Sequence, residues 1–278
     1  MQMPTLLPPI PIVNTIDQVV NAIQRVIDWS LANQSRLGYF AALYKRITIA
    51  IRDAIAQNKF ENGPRMERFD VTFAGRYLAA LNGYFHPAQY PAVSKCWLVA
   101  FEGALLPDPI IIQHMIAGVN AHIDLDLGIA AEAVAPGSQL PSLHHDFNTV
   151  NAVLASQVAT VVQEIDTLSP VLADIYDVLM KHELDLIAQG LVVVRDSAWA
   201  FATLLAKEPS VLHGATIAVH DLKVAELGRL ILHPPGFLSA VVDVIASRES
   251  RDIVKNIRTL DAIANTPAPM TKTAAKMI

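Results

Sequence analysis

The residues of this chain that could do chemistry are concentrated in one stretch, HMIAGVNAHIDLDLGIA (residues 114–130). There His114, Asn120, His122, Asp124 and Asp126 interrupt an otherwise apolar run. His122 and Asp126 stand four apart. On a helix that spacing puts an imidazole one turn from a carboxylate, so that the acid fixes the tautomer of the ring and the ring serves as general base or acid. With His122 at zero and 100° per residue, Asp126 falls at about 40°, Gly118 at about −40° and His114 at about −80°, all on one face. Gly118 predicts a gap beside the imidazole. Asn120 and Asp124 fall at about 160° and 200°, on the other side, where buried polar residues commonly tie helices together. Apolar residues such as Ile111, Ile116, Val119, Ile123, Leu125 and Leu127 fill the remaining directions, which predicts a helix buried all round. A carboxylate in such a place needs a partner or a proton.

Two histidines and a carboxylate within one arc also suit a divalent metal such as zinc or iron. His114 lies two turns from His122, so the pair would need help from another helix. SLHHDFNTVN supplies His144, His145 and Asp146, giving a candidate metal set of His114, His122, Asp126, His144 and Asp146. No HExxH or comparable zinc motif accompanies it.

These residues must be positioned by helices. Three-and-four spacing predicts a helix over 15–34 (Ile16, Val19, Val20, Ile23, Val26, Ile27, Leu31), a second through YFAALYKRITIAIRDAIAQN ending at ENGP, and a third over about 66–85. A fourth runs through VSKCWLVAFEGALL. Asp108 as cap and Pro109 at the first position predict the start of the long helix that carries the polar stretch, and APGSQLP ends it. Further helices are expected over 142–168, from Ser169-Pro170 to about Gly190, and over about 192–207, 215–232 and 237–265. No alternating strand pattern and no repeat occurs, so the fold class is all-α: a single-domain bundle of about ten helices around a buried central one. The domain spans 14–265, with an extended arm over 1–13 and a frayed tail over 266–278.

Composition limits the function. A 53% hydrophobic, 17% charged chain of 278 residues buries a large core without disulfides or metal and has apolar surface left for a greasy ligand or a subunit partner, so a homodimer is expected. A net charge of −5 with scattered Lys and Arg argues against nucleic acid. The single cysteine, Cys96, reads as a buried small hydrophobe in a reducing compartment. MQMPTLLPPIPIV has no basic start and four prolines, unlike a signal peptide, and no charge-free run reaches a membrane span, so a cytoplasmic location is expected. Serine-hydrolase elbows, phosphate loops and GxGxxG are absent.

The segments FAGRYLAALNGYF (73–85), WLVAFE (97–102), HMIAGVNAHIDLDL (114–127), DFNTVN (146–151) and RDSAWAFATLL (195–205) resemble domain-of-unknown-function family 5995. The resemblance covers about 66–207, and N-A-H-I-x-x-D-L at 120–127 is its most specific part. Asp124 departs from the Asn more usual there. The resemblance implies no activity; it implies a signature of Arg76, Glu102, His114, Asn120, His122, Asp126, Asp146, Asn151, Arg195 and Trp199, drawn from five helices.

Read chemically, that set holds a histidine with its orienting acid, two arginines able to grip a carboxylate or neutralise Glu102 and Asp146, and an aromatic wall. The leading expectation is a cofactor-independent enzyme of isomerase, cyclase or lyase type acting on a largely apolar small molecule. In it His122, Asp126 and His114 are catalytic, and Arg76, Arg195, Trp199, Glu102 and Asn120 bind substrate. The alternatives are a metal-dependent hydrolase or oxygenase built on the metal set above, and a non-enzymatic carrier of a hydrophobic ligand. His86, His213, His220 and His233 receive no role, and Trp29, Tyr39 and Tyr44 read as packing residues.

Overall fold

The computed structural model describes residues 5–171 and 183–270, and among these no strand occurs. The all-α expectation holds. Helix α1 (Ile16–Asn33) begins where the Thr15 side chain accepts from the Gln18 N–H, and it buries Val19, Ile23, Val26 and Ile27. Helix α2 (Leu37–Ala56) packs antiparallel across a short turn in which Gln34 takes a left-handed conformation. Helix α3 (Gly63–Phe85) starts at Asn62, whose side chain accepts from the Arg65 N–H, with Pro64 in the first turn. Helix α4 (Lys95–Gly103) is capped from another element: Asp221 accepts from the backbone N–H groups of Lys95 and Cys96 at 2.7 and 2.9 Å.

The central run is α5 (Ile111–Val119), a π-helical segment (Asn120–Leu127) and α6 (Gly128–Val134). It does not begin at Asp108-Pro109. Its first turn is satisfied instead by Gln113 folding back on the Ile110 N–H and by Glu249 accepting from the Ile111 N–H. A 3-10 stretch (Gly137–Leu143) leads into α7 (His144–Leu168). Helix α8 (Glu183–Lys207) runs unbroken through Gly190, where the sequence pattern predicts a break. Part of the helix expected from Ser169-Pro170 onward lies outside the described residues. Helix α9 (Ser210–Leu232) starts five residues earlier than its pattern predicts. The long final helix expected over 237–265 is two, α10 (Phe237–Ala246) and α11 (Ile253–Ala264); the break lets Glu249 turn inward, and Asp252 caps α11.

The π segment touches α3, α4, α5, α6, α8 and α9, which makes it the hub of the bundle. Leu125 and Leu127 on it are sealed from solvent, each worth about 2 kcal/mol of burial. The arm over residues 5–13 lies down rather than projecting: Leu7, Ile10 and Val13 are buried, and Asn82 brackets Ile10 by bonding both its N–H and its carbonyl at 2.8 Å. In the expected tail Ala268 is pinned by Gln157 in the same two-sided way, and residues 271–278 lie outside the described residues. No single described helix is long and apolar enough to cross a membrane; α9 and α10, bent by 58°, reach that length and composition only as a pair. Their outward sides expose Val211, Leu222, Phe237 and Leu238.

Candidate functional site

His122 and Asp126 meet as their spacing predicts. The Nδ1 of His122 faces Asp126 Oδ2 at 3.4 Å, and both side chains are fully buried. Asp126 is held from two other helices. Arg76 of α3 donates from Nε to Oδ1 at 2.7 Å, and Trp97 of α4 donates from Nε1 to Oδ2 at 2.7 Å. With the carboxylate thus oriented, the imidazole carries its proton on Nδ1 and presents Nε2 as a lone pair. That Nε2 is buried and has no hydrogen-bond partner among the described residues.

Five aromatic rings enclose His122. Phe73 stacks on it at 3.6 Å with 8° between planes, Tyr44 meets it edge-on at 4.5 Å, and Phe40, Trp97 and Tyr77 stand at 5.9, 5.9 and 6.2 Å. Burial among them pushes the imidazole below its ordinary range, which Asp126 opposes and Arg76 reinforces, so the ring is neutral at neutral pH.

Two residues to which the sequence gives no chemical role stand nearby: Tyr44 against His122, and Asp70 near Tyr44. Tyr44 is enclosed, its hydroxyl lacks a well-formed hydrogen bond, and burial plus the nearby charges of Asp70 and Asp126 raise it well above the phenol range. Asp70, one turn before Phe73 on α3, is 4% exposed, and its Oδ2 has no partner among the described residues. Burial, reinforced by Glu67, pushes its carboxyl up to about 8, so it carries a proton at neutral pH. A signal existed in the sequence: Met66, Phe69, Asp70, Phe73 and Tyr77 share the inward phase of α3, which places an acid on a core face.

All of these residues fall within positions 16–234, which match the model described as a family of unknown function, DUF5995. The chain belongs to DUF5995. No curated protein and no solved structure matches it. The other residues expected to form this DUF5995 protein's site do not gather around His122. Arg195 is buried in a second cluster, donating to Asn151 Oδ1 and the Phe147 carbonyl, both at 2.6 Å, with its guanidinium 4.3 Å above the Phe147 ring. Burial lowers it to about 9. Trp199 packs there on Phe147 and His144. Asp146 is structural: it accepts from the Glu61 and Asn62 N–H groups and from Arg65, fixing the loop before α3. Glu102 is exposed, outside both clusters.

Asn120 donates to the Val224 carbonyl at 2.9 Å, so it ties the hub to α9 rather than lining the His122 cage. Asp124 contributes to the same joint through its carbonyl, which accepts from His220 Nε2 at 2.8 Å; burial raises its carboxyl to about 6. The gap predicted at Gly118 is filled, because a Cβ there would lie 2.5 Å from the Phe40 ring. Among the described residues no three His, Cys, Asp or Glu side chains are placed to share a metal ion; of the set His114, His122, Asp126, His144 and Asp146, His122 and Asp126 meet, while His144 and Asp146 stand apart on α7. The two cavities beside His114 are each about 10 Å³, the space of one water.

Proposed function

We propose that this protein is an enzyme that acts on a largely apolar small molecule by general acid–base chemistry of the isomerase, cyclase or lyase type. The observation that carries the reading is the lone pair of His122 Nε2, buried without a partner inside an aromatic cage while Nδ1 is fixed by Asp126. Leaving such an atom unpaired costs about 1–3 kcal/mol, a cost that chemistry at that atom explains. His122 is the base. The imidazolium formed on proton abstraction is stabilised by Asp126 and by the faces of Phe73 and its neighbours. Asp70 in its acid form supplies a proton to the other side of the reacting group, while Tyr44 stays a neutral phenol that can donate a hydrogen bond. Arg76 positions Asp126 through its Nε.

Proton transfer at carbon leaves an isotopic trace whatever the product. The protein is incubated in D₂O with a panel of apolar ketones, enones and isoprenoid acids, and deuterium uptake is read by mass spectrometry. We expect uptake into at least one class and a loss of about 10²–10⁴-fold with His122→Ala. No uptake across the panel, or uptake unchanged in the variant, would overturn the reading.

A further inference from the structure

His114 divides two small cavities. On one side the walls are apolar: Phe40, Tyr77, Trp97, Phe101 and Gly118. On the other they are polar, with Tyr39, Glu249, Ser250 and Arg251. Arg36 and His114 line both. Three of the apolar wall's rings, Phe40, Tyr77 and Trp97, are also rings of the His122 cage, so the apolar cavity abuts the cage around the base.

The polar half holds two guanidinium groups, Arg36 and Arg251, against the single carboxylate of Glu249. Arg36 makes one long hydrogen bond, 3.5 Å to the Ala104 carbonyl, and Arg251 donates to the carbonyls of Pro107 and Ala246; neither has a carboxylate at ion-pair distance among the described residues. Glu249 lines the same space, but its two oxygens accept from the Ile111 N–H and the Ser169 hydroxyl. Arg36 also stands at the N-cap of α2, whose first turn has no acid to offset the helix dipole. His114 is 7% exposed, and neither ring nitrogen makes a well-formed hydrogen bond. Burial, with smaller contributions from the charges of Arg36 and Arg251, brings its basicity down to about 4.

We propose that these cavities are the two ends of one site for an apolar molecule bearing a carboxylate. The carboxylate lies on Arg36 with Arg251 and His114 beside it, and the hydrocarbon body extends over Phe40, Tyr77 and Trp97. Arg36 thereby takes the head-group role that the buried Arg195, held by Asn151 and the Phe147 carbonyl, does not fill. The body enters by displacing Phe40, the ring seated on Gly118 that separates the apolar cavity from His122. That the body points toward His122 rests on the acid–base reading; the anion site itself does not.

Calorimetric titration with dodecanoate and dodecan-1-ol, both below their aggregation limits, tests the site. We expect dodecanoate to bind at least about tenfold tighter than the alcohol, Arg36→Gln to remove that preference, Arg36→Lys to restore part of it, and His122→Ala to leave it intact. Absence of dodecanoate binding, equal affinity for the two probes, or an unchanged preference in Arg36→Gln would overturn the proposal. The two readings fail separately. Dodecanoate binding without deuterium uptake by any substrate keeps the site and removes the catalysis, leaving a carrier; uptake that persists in Arg36→Gln without dodecanoate binding does the reverse.

Discussion

Replacing Asp70 by Asn should stabilise the protein, and more so as the pH rises. The carboxyl of Asp70 is 4% exposed and held to about 8 in the folded chain, against an ordinary value of 3.8. Between those values the unfolded chain has released a proton that the folded chain keeps, so stability falls as pH rises. It is undiminished by this group below about pH 4 and lowest above about pH 8. Every tenfold difference in proton affinity between the two states is worth about 1.4 kcal/mol, and by pH 7 the difference already felt is roughly a thousandfold, a cost of about 4 kcal/mol. Asn keeps the size and neutrality of the acid form without the titration. Urea unfolding of both proteins, followed by far-ultraviolet circular dichroism at pH 4.5 and pH 8, should therefore give a lead of only about 1 kcal/mol for the variant at the lower pH. The variant should lead by about 3–5 kcal/mol at the higher one. A gap that does not widen by at least about 1 kcal/mol between the two would refute the claim that Asp70 is protonated in the folded chain.

His114 titrates with the opposite sign. Its folded value of about 4 against 6.5 means that stability is lost as pH falls from 6.5 through 4, by about 3 kcal/mol in all, and His114→Gln should flatten that limb of a pH–stability curve. Gly118→Ala forces a methyl against the Phe40 ring and should cost about 1–3 kcal/mol, read as a lowered denaturation midpoint; a neutral result would show that Phe40 yields freely. Asp126→Asn weakens the pair with the partly exposed Arg76 and should cost about 1–3 kcal/mol by urea unfolding, whereas no measurable cost would mean that Arg76 finds water instead.

The helical class and the meeting of His122 with Asp126 were legible because both follow from local spacing. The dispersal of the other signature residues was not, since it depends on which helix each one faces. Asp146 shows the difficulty: beside two histidines it reads as a ligand, yet its oxygens are taken by a loop more than eighty positions away in sequence. Tyr44 has the spacing of a packing residue, and it does pack, on Phe40 and Phe73; what sets it apart is a hydroxyl that burial leaves without a good partner, which periodicity does not report. The start of α5 is hidden from the sequence for a similar reason. Glu249 satisfies its first N–H from the far end of the chain, so no local cap is needed.

The π segment has a consequence for comparing members of this family. Its wider hydrogen-bonded ring advances each residue by less than the α-helical 100°, so Asn120–Leu127 sets the rotational phase between α5, which carries His114, and α6, which meets α8 at Gly128. Removing one residue from the segment would restore the α-helical phase and turn one end of the hub against the other, even with every chemically interesting side chain retained. A relative that keeps the histidine and the aspartate but carries a gap between the positions of Asn120 and Leu127 is therefore expected to lose the phase that this chain holds between α5 and α6.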